Sequence, residues 1–181
     1  IHYTGMQSEI ESLKRLKNKR SKVSSHYFLS RGGAIIQLVK DNKIAWHAGK
    51  SKWKNIVNLN KFSIGIELQN RGHRFGYENF PNSQIQSLIK LCKFLKKKYR
   101  IKPENFLGHS DISPQRKIDP GEKFPWKMLS NYKLGVWYKK KYFLLKKSEN
   151  KDKIFFKNLY KIGYRYFDIS KRVKKDRLVI K

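Results

Sequence analysis

The stretch that decides the fold lies at residues 61–70, which have the sequence KFSIGIELQN. Its aliphatic residues alternate along the chain, which predicts a buried β-strand. Alternation places Glu67 on the face opposite its aliphatic neighbours, together with the small residues Ser63 and Gly65. A carboxylate inside a buried strand must be paired or must take part in chemistry. A structural ion pair with a Lys or Arg and a functional role beneath an open cavity both remain possible on this evidence.

Two segments around this strand have helical periodicity. Residues 82–99 predict the clearest helix, with Asn82 or Ser83 as its N-cap. Its apolar face comprises Ile85, Leu88, Ile89, Cys92, Leu95 and Tyr99. A second helix is predicted after Ser8, which can cap it, and its apolar positions are Ile10, Leu13 and Leu16.

Short strands are predicted before and after this pair of elements. IHYTG at residues 1–5 is typical of a strand end, and the segments at 24–30 and 34–39 flank a Gly-Gly turn in a hairpin. KIAWHAG at residues 43–49 and NFLGHS at 105–110 predict two further strands. Because helices interleave with strands, the pattern favours an α/β fold: a mixed central β-sheet flanked by helices.

Composition divides the chain into three parts. Residues 1–130 are predicted to form the main domain, residues 131–150 a basic and aromatic connector, and residues 151–181 a short helical C-terminal appendage with two amphipathic patterns. The chain begins at Ile1 within a strand end and stops without a helix cap. We therefore expect both termini to be truncated, so the sequence leaves the compartment open.

The bulk composition excludes several classes of protein. With 39% hydrophobic and 14% aromatic residues the chain is expected to fold, and no apolar run is long enough for a membrane span. Its single cysteine, Cys92, excludes an internal disulfide and a cysteine-based zinc finger, and we expect a buried thiol. The net charge of +30 suits a polyanionic partner, but a lysine-rich composition with a solvated surface is the favoured explanation, since the lysines are spread over the chain and no recognition motif organises them.

Chemistry is concentrated at the strand ends. The chain contains five histidines, of which His2 and His109 end predicted strands, and Asp119 follows a loop bent by Pro114. Two imidazoles and a carboxylate form an open three-ligand site of the kind that suits Zn2+ with water in the fourth position. Lys117 stands two residues before Asp119 and would overhang the same cavity in an extended loop, although most lysines of this chain are expected at the surface.

These residues carry a family pattern. The blocks IHYTGM, SSHYFLSRGGAIIQLV, IAWHAGKSKW, FSIGIELQN and FLGHSDISPQRKIDPG occur in order over residues 1–130. The sequence resembles the zinc-dependent N-acetylmuramoyl-L-alanine amidases of the amidase-2, or AmpD-like, group, which share a fold with the peptidoglycan recognition proteins. The resemblance implies hydrolysis of the amide bond between N-acetylmuramic acid and L-alanine, in peptidoglycan or muropeptides, by a zinc-activated water.

The resemblance also implies roles for individual residues. His2, His109 and Asp119 match the zinc ligands of the family. Glu67 matches the general base, and Lys117 matches the cation that stabilises the oxyanion. No catalytic role is implied for His26, which we interpret as structural.

Further matches concern the substrate and the compartment. His47, Trp53 and Asn60 match the substrate groove, whereas Asn58 stands where cytoplasmic members that process anhydro-muropeptides have an arginine. Residues 159–181 are similar to the opening of a helical peptidoglycan-binding module found in envelope-type members, although an unspecific helical tail is the alternative. We therefore expect action at the periplasmic side of the bacterial cell envelope, with a cytoplasmic location as the alternative.

Two other functions compete with amide hydrolysis. A non-catalytic peptidoglycan-binding module would have the same fold but would lack a ligand, and every matched ligand is present here. A basic nucleic-acid-binding protein is suggested by the net charge alone, and its binding would weaken steeply with salt. The expected partner is thus peptidoglycan or a muropeptide rather than a specific nucleic acid.

Overall fold

A four-stranded mixed sheet forms the centre of the protein in the computed structural model, which describes residues 1–138 and 151–166. The strands are β1 (His2–Tyr3), β2 (Tyr27–Leu29), β3 (Ile35–Gln37), β4 (Lys52–Trp53), β5 (Ile56–Val57) and β6 (Ile66–Leu68). Strand β6 lies between β1 and β2 and is parallel to both, while β3 pairs antiparallel with β2. β4 and β5 form a separate antiparallel hairpin. The predicted mixed sheet is confirmed.

Helices flank this sheet. They are α1 (Glu9–Lys17), α2 (Asn82–Tyr99), α3 (His109–Ile112), α4 (Trp126–Asn131) and α5 (Lys151–Ile162). The helices predicted after Ser8, at 82–99 and at the start of the appendage are confirmed, whereas α3 and α4 were not anticipated. Within the described ranges, no helix is long and apolar enough to cross a membrane.

The two faces of the sheet have different uses. Tyr27, Leu29, Ile66 and Leu68 project into the main core, where they pack with the apolar side of α2. His2 and Glu67 occupy paired positions of β1 and β6, and Phe28 of β2 is the other partner of Glu67. Because alternate residues of a strand point to opposite faces, these three side chains lie on the face away from α2. One face therefore stabilises the fold and the other is available for a site.

The start of α1 was predicted correctly, and its buried side was predicted in part, since Leu16 is buried as expected. The Ser8 hydroxyl accepts a hydrogen bond from the Glu11 amide, as an N-cap does. Ile10, predicted on the apolar face, is 68% exposed. Ser12 is buried instead, because its hydroxyl donates to Gln69 Oε1 at 2.6 Å.

The predicted caps of α2 are wrong. Pro81 occupies the N-cap position, so the helix starts without a side-chain cap. Ser83 Oγ donates instead to the Arg31 carbonyl at 2.9 Å, and this bond connects the helix start to the β2–β3 turn. Tyr99, placed on the apolar face, is 43% exposed, and its hydroxyl donates to Asp41.

The strand predicted at residues 43–49 is wrong, since this described segment contains no strand. Its backbone amides donate hydrogen bonds to side-chain oxygens instead of to a neighbouring strand. Ser24 Oγ accepts from the Trp46 amide at 2.9 Å, and Asn60 Oδ1 accepts from the amides of His47 and Ala48 at 3.1 and 2.7 Å. These contacts hold the segment beside the sheet.

The strand predicted at residues 105–110 is also wrong. A turn of 3-10 helix occupies Pro103–Asn105, and α3 begins at His109, so too few residues remain for a strand. Residues 107–109 still run beside the first strand. The Ile1 nitrogen donates to the Leu107 carbonyl at 2.7 Å, and the His109 amide donates to the Ile1 carbonyl at 3.2 Å.

Packing continues beyond the predicted main domain. Leu134 is completely buried in the main core, so the folded unit extends into the segment predicted as a connector. In the appendage, Tyr164 packs against Trp53, and its hydroxyl donates to Asp111 Oδ1. The second amphipathic pattern of the appendage, at 170–181, lies outside the described residues, as does 139–150. The division into domains stays a prediction.

Candidate metal centre

Three buried side chains converge above the sheet although they are distant in sequence. They come from β1, from the first residue of α3 and from the loop that follows α3: His2, His109 and Asp119. His2 Nδ1 lies 2.9 Å from His109 Nδ1 and 3.0 Å from Asp119 Oδ2, and the third distance, from His109 Nδ1 to Asp119 Oδ2, is 3.1 Å. Two ring nitrogens and a carboxylate oxygen thus point at one another, and this group can hold a metal ion.

The protonation states of the group favour a cation. Burial alone would raise the pKa of Asp119, but the His109 and His2 rings in contact with its carboxylate outweigh burial and lower that pKa below its ordinary value. Burial lowers the pKa of His2 to about 3, so its imidazole is neutral at physiological pH. An ionised carboxylate beside a neutral imidazole is the form in which both act as metal ligands.

The far side of the His109 ring is held by backbone. His109 Nε2 lies 3.0 Å from the Ala48 carbonyl oxygen, which accepts its proton and leaves Nδ1 free toward the group. Arg116 Nη2 donates to the same carbonyl at 2.9 Å and to the Lys50 carbonyl at 3.2 Å. Arg116 thereby anchors the loop of Asp119 to the 43–50 segment. The sequence offered no signal that separates Arg116 from the other basic residues.

Glu67 and Lys117 line the same cleft as the three converging residues. The cleft is open and has a volume of about 980 Å³. Burial raises the pKa of Glu67 well above its ordinary value, the nearby Asp119 raises it further, and the charge of Lys117 acts in the opposite direction. Within the described ranges, Glu67 takes part in no ion pair, and its buried Oε2 has no hydrogen-bond partner. The structural ion pair considered for Glu67 is therefore absent from this part of the chain.

Gly65, on the same face of the strand as Glu67, does not leave open space above the sheet. The ring of His47 occupies the space above Gly65, where an added Cβ would lie 2.3 Å from His47 Cγ. His47 also lies against the three converging residues His2, His109 and Asp119, which we call the metal group, since its Nδ1 is 3.2 Å from His2 Nε2. Burial lowers the pKa of His47 well below its ordinary value, so the ring is neutral.

The structure does not bring the three predicted groove residues together. His47 and Asn60 line the cleft, and Asn60 Oδ1 is bonded to the backbone of the 47–48 segment. Trp53 lies elsewhere, which corrects its assignment: it is 4% exposed and packs in a second apolar cluster with Ala48, Leu59 and Ile112. An indole that is enclosed in this way cannot touch a ligand in the cleft.

Other residues of the cleft were missed. Trp46, adjacent to the predicted His47, lines the cleft and is 53% exposed. Basic side chains also line it: Arg15, Lys22 and Arg74. The composition indicated excess positive charge but not where the fold would gather it. The cleft thus combines an exposed aromatic ring and several cations with the buried His2, His109 and Asp119. Such a lining suits an anionic organic molecule.

Two further groups are structural. His26 Nδ1 accepts from the Gly65 amide at 3.0 Å, and its Nε2 donates to the Lys43 carbonyl at 2.9 Å, so both ring nitrogens are used by backbone. Cys92 is buried within α2, and burial raises the pKa of its thiol to about 12. It is therefore an inert core thiol, as expected.

Comparison with known proteins gives a consistent set of relatives. A family model described as N-acetylmuramoyl-L-alanine amidase matches residues 1–122. AmiD of Escherichia coli is 44% identical over 149 residues, which are 76% of this chain and 53% of AmiD. The 1,6-anhydro-N-acetylmuramyl-L-alanine amidase AmpD of Haemophilus influenzae is 42% identical over 106 residues, which are 58% of this chain and 55% of AmpD. The chain thus spans about half the length of the curated relatives it matches.

Solved structures of similar proteins share the fold. E. coli AmiD in complex with anhydro-N-acetylmuramic acid-L-Ala-D-γ-Glu-L-Lys has a TM-score of 0.80 and 34% identity, and the match covers 99% of this chain and 75% of AmiD. AmpDh3 of Pseudomonas aeruginosa in complex with anhydromuramic pentapeptide has a TM-score of 0.77 and 28% identity, with 98% and 80% covered.

Proposed function

This chain belongs to the N-acetylmuramoyl-L-alanine amidase family, and on that basis we propose that it hydrolyses the amide bond between N-acetylmuramic acid and L-alanine. The observation that carries the proposal is the convergence of His2, His109 and Asp119 at the floor of the cleft that also contains Glu67. A non-catalytic binding module would not need an unpartnered buried carboxylate beside a metal site.

We further propose that the metal is Zn2+. Two imidazole nitrogens and one carboxylate oxygen form a donor set that zinc prefers, and three protein ligands leave a position for catalysis. Ligand atoms around a tetrahedral zinc lie roughly 3.3 Å apart, and the three distances here are 2.9, 3.0 and 3.1 Å. When bound, zinc would supply Lewis acidity, which polarises the amide carbonyl and makes water a stronger nucleophile near neutral pH.

Glu67 would act as the general base. Its free Oε2 has a lone pair and no competing donor among the described residues, so it can accept a proton from the attacking water. Its raised pKa lets it hold that proton and pass it to the leaving amine of L-alanine. A carboxylate with an ordinary pKa would be a weaker base and a poorer store for the proton.

Lys117 would stabilise the charge that develops on the carbonyl oxygen. It lies two residues from the proposed ligand Asp119 and lines the cleft, and its positive charge lowers the pKa of Glu67. Removing one donor of this kind from a comparable site costs about 3 kcal/mol of transition-state stabilisation.

The substrate we propose is peptidoglycan or a soluble muropeptide. The AmiD complex contains a stem peptide with a γ-linked D-Glu, which keeps a free α-carboxylate. The cations that line the cleft, Arg15, Lys22 and Arg74, suit such a carboxylate. His47 and Asn60 would border the bound molecule, whereas Trp53 is not part of this proposal.

The setting of the activity is also a proposal. The AmiD structure covers nearly the whole chain, so the described part of the appendage belongs to an arrangement found in a relative. This supports a catalytic domain with a C-terminal helical module. We place its action in the bacterial cell envelope, with the cytoplasm as the alternative. Cell fractionation of the full-length protein would test the location.

One experiment tests the reaction itself. The protein is incubated with a purified muropeptide, with zinc and with a chelator, and mass spectrometry follows the free peptide that begins with L-alanine. We expect release of that peptide with zinc, none with chelator, and a loss of at least about 100-fold in rate for Glu67→Gln. Binding of muropeptide without any cleavage would instead favour the non-catalytic module.

A further inference from the structure

His47 is buried beside His2, yet the proton transfers and the charge stabilisation proposed above do not use its ring. We propose that His47 is a positioning residue that fixes the tautomer of His2, so that His2 presents a lone pair at Nδ1 to the metal. The proposal rests on the metal site described above but not on the identity of the substrate.

A chain of polar contacts leads from His2 to a backbone carbonyl. His2 Nε2 lies 3.2 Å from His47 Nδ1, and His47 Nε2 lies 3.5 Å from Ser63 Oγ. Ser63 Oγ lies 2.6 Å from the Leu59 carbonyl oxygen. We call this chain from His2 to Leu59 the relay.

The carbonyl at its end sets the direction of every bond in the relay. A carbonyl oxygen only accepts, so the Ser63 hydroxyl must donate to Leu59. Its proton is then committed, and Ser63 Oγ can only accept from His47 Nε2. His47 therefore carries its proton on Nε2 and has a lone pair on Nδ1, which accepts from His2 Nε2. The relay thereby favours the His2 proton on Nε2, in competition with Asp119 Oδ2, which lies 3.0 Å from Nδ1 and would hold a proton there. A proton on Nε2 leaves Nδ1 free for the metal.

Packing keeps the relay in place. The His47 ring lies directly over Gly65, and its backbone amide donates to Asn60 Oδ1 at 3.1 Å. A Cβ added at Gly65 would lie 2.3 Å from His47 Cγ, so the ring is packed closely against the strand on that side. His109 reaches the same end by a shorter route, because its Nε2 faces the Ala48 carbonyl directly at 3.0 Å. Both imidazoles of the metal group are thus oriented from behind by acceptors.

The test compares three variants. His47→Phe keeps a ring of similar size over Gly65 but removes the acceptor, and His47→Asn keeps an acceptor oxygen near the position of Nδ1. His26→Phe is the matched control, since His26 is buried 5.7 Å from His47 and bonds only to backbone. Zinc affinity is measured by competition with a chromophoric chelator, and nitrogen NMR reports the tautomer of His2 in zinc-free protein.

We expect His47→Phe to weaken zinc binding by about 10–100-fold and His47→Asn to stay within a few-fold of wild type. The His26 variant should lose stability but keep its zinc affinity. NMR should place the His2 proton on Nε2 in wild type, and in His47→Phe it should move toward Nδ1, which faces Asp119 Oδ2. Unchanged zinc affinity in His47→Phe, or a wild-type His2 protonated at Nδ1, would overturn the proposal. Neither readout needs a substrate, so a protein that binds zinc tightly but cleaves no muropeptide would refute the proposed function and leave the relay standing.

Discussion

His2 and Glu67 are direct partners in the parallel pairing of β1 and β6, and their side chains point to the same face of the sheet. One proposed ligand and the proposed base thus share a single rung of the ladder. A slip of one residue between the two strands would turn Glu67 into the core beneath α2. The main-chain register, rather than a flexible loop, therefore fixes the distance between them.

Removal of a metal ligand should abolish stabilisation by zinc. We expect wild type to gain about 2.7 kcal/mol in unfolding free energy when free zinc is 100 times its dissociation constant. His109→Ala and Asp119→Ala should gain almost nothing, because two remaining ligands hold zinc weakly. Thermal unfolding with and without zinc measures this. Glu104→Gln, a carboxylate outside the cleft that pairs with Lys54, should respond like wild type. Full zinc stabilisation of either ligand variant would contradict the ligand assignment.

Glu67→Gln should stabilise the zinc-free protein, and more so at higher pH. Burial raises the folded-state pKa of Glu67 above the value of 4.5 expected in the unfolded chain. Between these two pKa values the folded state binds more protons, so wild-type stability falls as pH rises through that window. Glutamine has no such dependence. Urea unfolding in chelator at about pH 5 and about pH 8 should show a larger advantage for the variant at the higher pH. If variant and wild type differ in unfolding free energy by the same amount at the two pH values, the pKa of Glu67 is not raised.

Lys117→Met should move the acidic limb of kcat/KM to higher pH, besides lowering the rate. The positive charge of Lys117 lowers the pKa of Glu67, so its removal lets that pKa rise. A base must be ionised to act, and activity should then be lost at a higher pH as the solution is acidified. The measurement is a pH profile with a soluble muropeptide. Lys102→Met, at an exposed lysine, should leave the acidic limb in place. An unshifted limb in Lys117→Met would show that the charge of Lys117 does not influence the base.

Substitution of Trp53 should reduce stability, whereas substitution of Trp46 should weaken substrate binding. Trp53→Ala removes a buried indole that packs on Tyr164, and we expect it to cost about 3–5 kcal/mol of stability. The KM of the protein that remains folded should change little. Trp46→Ala removes an exposed ring at the cleft and should raise KM with little loss of stability. Urea unfolding and steady-state kinetics separate the two. A raised KM for Trp53→Ala at full stability would return Trp53 to the substrate groove.

The elements that sequence analysis located correctly are those with a long or self-contained signal. Helix α2 repeats its apolar positions over 18 residues, so both ends agree with the prediction. The segment 43–49 has the composition of a strand, but its amides bond to Ser24 and Asn60 side chains, which periodicity cannot reveal. Trp53 failed for a related reason. Its partner Tyr164 lies more than a hundred residues away, and only tertiary packing shows that the indole is enclosed.

The candidate site was predictable to a similar extent. His2, His109 and Asp119 carry a ligand chemistry that is recognisable from residue type and from their places at element ends. The features that were missed depend on tertiary packing: they are the aromatic and cationic lining of the cleft, and the contacts made behind the metal-binding side chains. The bond of Arg116 to the Ala48 carbonyl and the contact of His47 with His2 depend on the path of residues 43–49, which were predicted as a strand.

The close approach of the His47 ring to Gly65 has an evolutionary consequence. Since even one methyl group at position 65 would collide with that ring, position 65 cannot gain a side chain while histidine stays at position 47. Across homologous proteins, glycine should therefore be found at position 65 wherever histidine is kept at position 47. A larger residue at 65 should appear only in lineages whose residue at 47 has become smaller. The two positions should therefore covary, which couples the central strand to the loop behind His2.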